Sequence, residues 1–373
     1  MTSPSVAIIG TRGYPSYYGG FETAVRRLAP YLVDEGWAVT VYGRPLGIRP
    51  DDTERDARVE SVITKGIEAK SLSTLSYGLT SALHAARSKP DVALVMNVAN
   101  GFWLPVLKRA GIPTLVNVDG IEWDREKWGR IAKATFRRGA AMTAKHGTQL
   151  VYDSREIARR WARDFGTDGV FIPYGGESPQ GELPVEPGLR HRGYVLMVAR
   201  FVPENSVQEF FDAVPEISSI ADVVIVGSSG YGGDLDERAQ ELSRSNSRVK
   251  WLGHVSDDNR LHSLWQHAGV YFHGHTVGGT NPALVQAMAC GAPIVAMDTP
   301  YNREVLGPGG VYTTRRPSDI AAHIAALLRE PASSSVLGNN MRARAAAEYT
   351  WEMVNERYAR ELESLLANQP VEA

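Results

Sequence analysis

The sequence predicts an α/β protein built from two parallel-sheet domains, and three observations carry that prediction. At 373 residues the chain is longer than one ordinary core organises. Short apolar runs alternate with helix-period stretches along nearly its whole length, the pattern of parallel strands covered by helices on both faces. Between Gly176 and Gly193 the alternation stops in GESPQGELPVEPGLRHRG, where Pro and Gly crowd out periodicity, so a linker or hinge is expected there.

Each element follows from its local pattern. SVAIIG at residues 5–10 reads as a short buried strand; a Gly-rich loop follows, and FETAVRRLAPYL has the amphipathic period of a helix starting near Phe21 or Glu22. WAVTVYG, PDVALVMN, TLVNVDG, TQLVYDS and GVFIPYGG continue the strand series in the first half. YVLMVAR, DVVIVGSS, RVKWLGHV, GVYFHGH, PIVAMD and GGVYT repeat it in the second. The tail TWEMVNERYARELESLL places Trp351, Val354, Tyr358, Leu362 and Leu365 on one helical stripe. The expected domains are therefore residues 1–178 and 193–348, joined by a linker at 179–192 and followed by a terminal helix at 349–373. Two Rossmann-like sheets are implied, and ligands of such sheets bind beyond the carboxyl ends of the strands.

Composition excludes several classes. Hydrophobic content of 43% and charged content of 22% are those of a soluble globular enzyme. No apolar run approaches the roughly 18 residues that span a bilayer, and the start, MTSPSVAIIG, lacks a signal-peptide pattern, so a cytoplasmic protein is expected. The single cysteine, Cys290, rules out an intrachain disulfide and reads as buried packing, with a reactive thiol as the alternative. The net charge of −2 hides an asymmetry: residues 1–176 carry 24 Lys/Arg against 18 Asp/Glu, and residues 177–373 carry 16 against 24. The first half is thus suited to an anionic surface. No nucleic-acid partner is expected.

GGTNPALVQAMACG, residues 278–291, is the most informative stretch. Asn281 suits a helix cap and Pro282 its first position, while Leu284, Val285 and Met288 form an inward face. The helix N-terminus is then free to face an anion. In GTRGYPSYYGGFE, Gly19 and Gly20 precede a second helix start, where absent side chains let backbone N–H groups approach a ligand; taken alone, the pair reads more readily as a plain tight turn. No GxGxxG follows the first strand, which argues against dinucleotide binding. Arg200, just after YVLMVA, offers a planar fork of donors suited to a pyrophosphate, with a structural ion pair as the other reading. Asp234 and Asp236 have the Asp-x-Asp spacing of a metal-dependent transferase but open a polar helix, where acidic residues belong in any case. His254, His262, His267, His273 and His275 are scattered without a zinc pattern. No metal and no cofactor are expected.

The motifs YGGFE, NVDGIEWDREKW, ARFVPEN and GGTNPALVQAMACG, in this order, resemble those of retaining GT-B glycosyltransferases, in particular the bacterial rhamnosyltransferase-like branch. The resemblance covers nearly the whole chain. It implies two Rossmann-like domains facing across a cleft, with the final helix crossing back to the first. By resemblance, Gly19 and Gly20 approach the donor phosphate and sugar, and Arg200 neutralises the departing diphosphate together with a lysine five positions later. Here that position is Asn205, which can donate a hydrogen bond but carries no charge. Relatives of the wider family place two glutamates eight positions apart where this chain has Gly278 and Gln286. The second holds both ribose hydroxyls; Gln286, with one acceptor oxygen, suits a deoxyribose better, unless it is an ordinary polar helix residue. His254 and Val255 fall where relatives meet the base, and Gly279, Thr280 and Asn281 line the diphosphate. Asp119 is the first candidate to orient the acceptor hydroxyl or accept its proton. Asp153 and Tyr174 end two later strands and are further catalytic candidates, although Asp or Ser before SREIARRW is also good N-cap chemistry.

The resemblance thus implies transfer of a sugar, most specifically L-rhamnose from dTDP-β-L-rhamnose, to a glycan or polyprenyl-diphosphate-linked sugar. A nucleotide-sugar epimerase on the same fold and a non-catalytic sugar-nucleotide sensor are the alternatives. WDREKWGRIAKATFRR carries six Lys/Arg among aromatics, which suits peripheral contact with an anionic membrane at the inner face of the plasma membrane, or a solvated helix face.

Overall fold

The structure is a computed structural model that describes residues 3–17, 19–45, 52–68, 73–126, 128–230 and 232–368. The chain forms two compact units, the first comprising Met1–Asp124, Trp128–Tyr174 and Trp351–Ala373, the second Arg125–Lys127 and Gly175–Thr350.

The first unit holds a seven-stranded sheet: β1 (Ser5–Ile9), β2 (Ala38–Gly43), β3 (Glu60–Ile63), β4 (Val92–Met96), β5 (Thr114–Asn117), β6 (Gln149–Tyr152) and β7 (Val170–Phe171). Their spatial order is β3-β2-β1-β4-β5-β6-β7, with every pair parallel. The order reverses at β1 and β4, the arrangement in which two crossovers part and leave open the edge beyond the strand ends. The helix Gly20–Asp34 begins one residue before the earliest start the sequence suggests, because Gly19 supplies an extended N-cap. The helix Trp351–Ala367 buries Val354, Tyr358, Leu362 and Leu365 in the same core as Val6, Ile8 and Leu94, with Trp351 packed at its margin. The apolar stripe read from the sequence is therefore a core face of the first unit.

The second unit has six parallel strands: β8 (Tyr194–Val198), β9 (Asp222–Val226), β10 (Val249–Trp251), β11 (Val270–His273), β12 (Ile294–Met297) and β13 (Val311–Thr313). Their order is β10-β9-β8-β11-β12-β13. Its core joins one face of that sheet, including Val195, Met197, Val223 and Ile225, to Phe210, Phe211, Val214 and Ile324 from flanking helices.

Two features go beyond the sequence reading. β3 was not foreseen: its ESVI is an edge strand that is only partly covered, so it has no apolar run to betray it. The 179–192 stretch, expected to be a linker or hinge, is bound to the second unit. Gln266 Oε1 accepts from the Leu183 N–H at 2.8 Å, Lys250 Nζ donates to the Gly188 carbonyl at 2.7 Å, and Arg260 pairs with Glu186 at 2.6 Å. Pro and Gly remove periodicity, but side chains of the helix Asp258–His267 and of β10 satisfy the backbone that periodic structure would otherwise have paired.

Candidate functional site

In the first unit the carboxyl end of β5 builds a constrained turn. Asp119 has φ 62, a left-handed conformation that Asp tolerates better than most residues. Its N–H donates to Asn117 Oδ1 at 2.8 Å, and the Nδ2 of the same amide donates to the Tyr358 hydroxyl at 2.6 Å. Asn117 is buried, so a single side chain ties the turn to the terminal helix inside the core. Neither Asn117 nor the Tyr358 hydroxyl was foreseen as part of a site.

Asp153 and Tyr174 join Asp119 in this region. Asp153 is buried at the end of β6, and the helix Arg155–Phe165 is capped by Ser154, whose hydroxyl accepts from the Glu156 N–H at 3.1 Å. The capping chemistry that competed for Asp153 thus belongs to its neighbour. Tyr174 is buried, and burial, followed by the nearby charges of Asp119 and Asp153, pushes its hydroxyl well above the usual tyrosine range. Tyr358 and Glu22 act on it in the same direction. Tyr174 therefore keeps its proton at neutral pH and can donate a hydrogen bond, but it does not serve as a base. Glu22, in the first turn of the helix after Gly19 and Gly20, accepts from the Arg12 N–H at 3.2 Å. Gly19 has φ −171, extended backbone open to any residue, so what its missing side chain provides is space.

In the second unit the loops after β8 and β11 are stapled together. Asn205 is buried and its Nδ2 donates to the Arg200 carbonyl at 2.9 Å, which folds the ARFVPEN loop back on itself and leaves the Arg200 side chain exposed. The N–H and the hydroxyl of Thr276 both donate to the Glu204 carbonyl at 2.9 Å. Gly274 is needed for this approach, because a Cβ there would lie 2.2 Å from the Asn205 carbonyl oxygen. His273 and His275 stack at 4.5 Å between ring centroids. Burial, then the Arg200 and Arg125 charges, push His275 down to about 3; burial, then His275, drive His273 well below the usual range. Both rings are neutral at physiological pH.

Asn281 caps the helix Pro282–Ala289 through Oδ1, which accepts from the Ala283 N–H at 2.9 Å, and Thr280 just before it is buried. Gly279 is half-buried in the same turn. Gln286, one turn along, is held at both ends of its amide: Oε1 accepts from the Glu177 N–H at 3.0 Å, and Nε2 donates to the Glu177 carbonyl at 2.7 Å. After β10, His254 is exposed and Val255 buried. Cys290 is buried and its thiol is pushed up to about 12 by that burial, which makes it a packing residue.

The Asp236 carboxylate accepts from the Ser229 N–H at 3.2 Å, closing the turn before its helix. Among the described residues, Glu182, His191 and His267 bring ligand atoms within 4.8 Å of one another. His267 Nε2 lies 2.6 Å from the Leu183 carbonyl and so donates, leaving Nδ1 to accept from His191 Nδ1 at 2.8 Å. Hydrogen bonding accounts for that cluster.

Two outcomes are expected. Tyr358→Phe removes the acceptor of a buried Asn117 N–H and should lower stability by about 1–3 kcal/mol, read as a reduced denaturant midpoint at unchanged slope. An unshifted midpoint would mean that the amide bridge carries no weight. The paired histidines set a pH dependence. Unfolded His takes up a proton below about 6.5, whereas folded His275 stays neutral to about 3, so stability is full above 6.5 and falls as pH drops through that window. Equilibrium unfolding at pH 7.5 and pH 5 should therefore show a smaller acid loss in His275→Gln than in the wild type.

Two family models match the chain, a glycosyl transferase 4-like domain over residues 19–175 and glycosyl transferases group 1 over residues 184–344. The GDP-mannose-dependent monoacylated alpha-(1-6)-phosphatidylinositol monomannoside mannosyltransferase of Corynebacterium glutamicum is 26% identical over 246 residues, 59% of this chain and 64% of that protein. The phosphatidyl-myo-inositol mannosyltransferase of Mycolicibacterium smegmatis is 29% identical over 221 residues, 56% of each. The chain thus spans about three fifths of the length of these relatives. Among solved structures, sucrose-phosphate synthase from Thermosynechococcus elongatus superposes with a TM-score of 0.81 at 19% identity, covering 98% of this chain and 99% of that one. With its two parallel sheets and these matches, the chain belongs to the group 1, 4-like family of glycosyltransferases and has the GT-B fold.

Proposed function

We propose that the protein is a retaining glycosyltransferase that moves L-rhamnose from dTDP-β-L-rhamnose to a glycan or polyprenyl-diphosphate-linked sugar. The observation that carries the transferase reading is the stapled pair of loops in the second unit. They present Arg200 at the end of β8 and the capped helix N-terminus at Thr280 and Asn281, two features that attract a diphosphate. Arg200 and the helix end then stabilise the charge that develops as the nucleotide diphosphate leaves. No metal is needed for that step in this scheme, and Asp236 is engaged in a turn.

The donor base and sugar rest on finer support. Gln286 has one acceptor oxygen and already takes the Glu177 N–H on it, so it is poorly placed to grip the two hydroxyls of a ribose. A deoxyribose asks less, in keeping with the resemblance to rhamnosyltransferases. The two mannosyltransferase relatives point to a different sugar, and one is named for GDP-mannose, which makes that donor the sharpest competitor. In the first unit, Asp119 orients the acceptor hydroxyl and Tyr174 donates a hydrogen bond. The departing diphosphate takes the acceptor proton on the face that the sugar leaves.

The relatives' names include phosphatidylinositol-based acceptors, which favours an amphiphilic acceptor here as well. The helix Arg130–His146 is the membrane-facing candidate: Arg130, Arg137 and Arg138 are exposed, and Ile131 is 86% exposed. Trp128 and Phe136 are committed to each other with ring centroids 5.2 Å apart, and Trp128 Nε1 donates to Glu122 at 2.8 Å. Ile131 is then the apolar contact that this face retains. Lys127, counted with this basic stretch in the sequence, lies outside the described residues. No helix among the described residues is long and apolar enough to cross a membrane.

Turnover with purified donors and a polyprenyl-diphosphate-sugar acceptor tests the donor. dTDP-L-rhamnose should exceed GDP-mannose and UDP-glucose and should keep its rate in EDTA. Faster transfer from GDP-mannose would replace the donor, and loss of activity in EDTA with recovery in magnesium would restore a metal. Co-sedimentation with phosphatidylglycerol vesicles tests the surface. Each basic residue near the bilayer contributes about 1 kcal/mol and salt screens it, so binding should fall with salt and drop sharply in Arg130→Glu/Lys133→Glu. Equal binding by the double variant would remove this helix from the contact.

A further inference from the structure

The loop after β8 supplies one guanidinium where the wider family pattern has an arginine and a lysine. Asn205 cannot replace the missing charge, since it is neutral and its amide is turned into the loop to hold the Arg200 carbonyl at 2.9 Å. A second cation nevertheless reaches this end of the sheet from a distant part of the sequence. Arg125 lies in NVDGIEWDREKW, whose preceding residues belong to the first unit, yet Arg125 itself packs with the second. Its guanidinium nitrogen is 3.7 Å from the point where a Cβ on Gly278 would sit. Gly278 has φ +104, so its backbone disfavours the carboxylate that relatives carry there. Arg125 and Arg200 also act on the same ring, that of His275.

We propose that Arg125 is the second cation of the donor site, pairing with Arg200 on the diphosphate of the nucleotide sugar. This rests on the reading of the second unit as the nucleotide-sugar unit. Two departures from the family pattern then have one cause. Asn in place of lysine at 205 removes a cation and Gly in place of glutamate at 278 removes a carboxylate from beside Arg125, which supplies the second cation. A guanidinium suits the task, because it binds phosphate oxygens bidentately and keeps its charge at every working pH. His275 beside the two cations stays neutral and adds no third charge. Two fixed cations hold the diphosphate in the ground state and stabilise it further as charge builds on the leaving oxygen.

Calorimetric titration of the full chain with dTDP and dTMP separates the diphosphate contribution from the nucleoside contribution. Wild type should bind dTDP at least tenfold more tightly than dTMP. Arg125→Gln should lose about tenfold in dTDP affinity while dTMP affinity stays within twofold, and Arg125→Lys, which keeps the charge, should retain most of the preference. Thermal melting of each variant checks folding, and Arg125→Lys carries the test if Arg125→Gln is not folded: a preference for dTDP that it loses while folded overturns the proposal. Equal dTDP affinity in wild type and Arg125→Gln, or a parallel loss for dTDP and dTMP, also overturns the role of Arg125 while leaving the donor site intact. Failure of the wild type to bind dTDP, UDP or GDP would instead remove the nucleotide-sugar reading itself.

Discussion

Parallel pairing constrains everything else in this protein. In both sheets each strand must return through a crossover to start again at the same edge, so all carboxyl ends, and the loops that leave them, gather along one side. The functional candidates are accordingly not neighbours in sequence. Asp119, Asp153 and Tyr174 follow β5, β6 and β7 in the first unit, while Arg200, His254 and the Gly278–Asn281 turn follow β8, β10 and β11 in the second. Strand interiors are almost wholly apolar and fix the register; the loops are free to carry charge because the sheet, not the loop, supplies stability.

The two units solve the problem of holding a loop differently. In the first, a core side chain does it: the Asn117 amide spans from the Asp119 backbone to Tyr358 and lets a non-glycine residue rest at φ 62. Such a conformation costs free energy and persists only where its surroundings over-determine it. Tyr358 lies 241 residues from Asn117, so the terminal helix is needed for the turn as well as for the core. In the second unit, bonds to backbone do it: Thr276 ties the loop after β11 to the Glu204 carbonyl, Asn205 folds its own loop onto the Arg200 carbonyl, and Gly274 makes the approach sterically allowed. The first device holds one turn; the second holds two loops together.

What was legible in the sequence follows from the same physics. Twelve of the strand runs were readable because buried parallel strands are short and apolar throughout, and the Asn281 cap was readable because capping is local chemistry. β3 was not, since an exposed edge needs no apolar run. The stripe on the terminal helix showed Tyr358 as a core residue, but no periodicity can show where its hydroxyl points. A polar Asn117 closing the apolar run TLVN was the one available signal for the amide bridge. Arg125 was hidden for another reason: its neighbours in sequence predict the first unit, and only the fold carries it to the second. At 179–192 composition reports lost periodicity and says nothing about the backbone that side chains satisfy.

The electrostatics of the two sites differ in a way that suits their proposed tasks. In the first unit, buried Tyr174 and Tyr358 stay protonated beside Asp119 and Asp153, so negative charge is concentrated on the carboxylates and every phenol remains a donor. Carboxylates beside phenol donors suit hydroxyl groups better than a phosphate. In the second unit, burial and the neighbouring guanidiniums keep His275 neutral, and burial with His275 keeps His273 neutral, so the positive charge resides on the arginines. On the proposed reading, charge alone would favour a hydroxyl acceptor in the first unit and a diphosphate donor in the second, before any contact specific to a sugar is made.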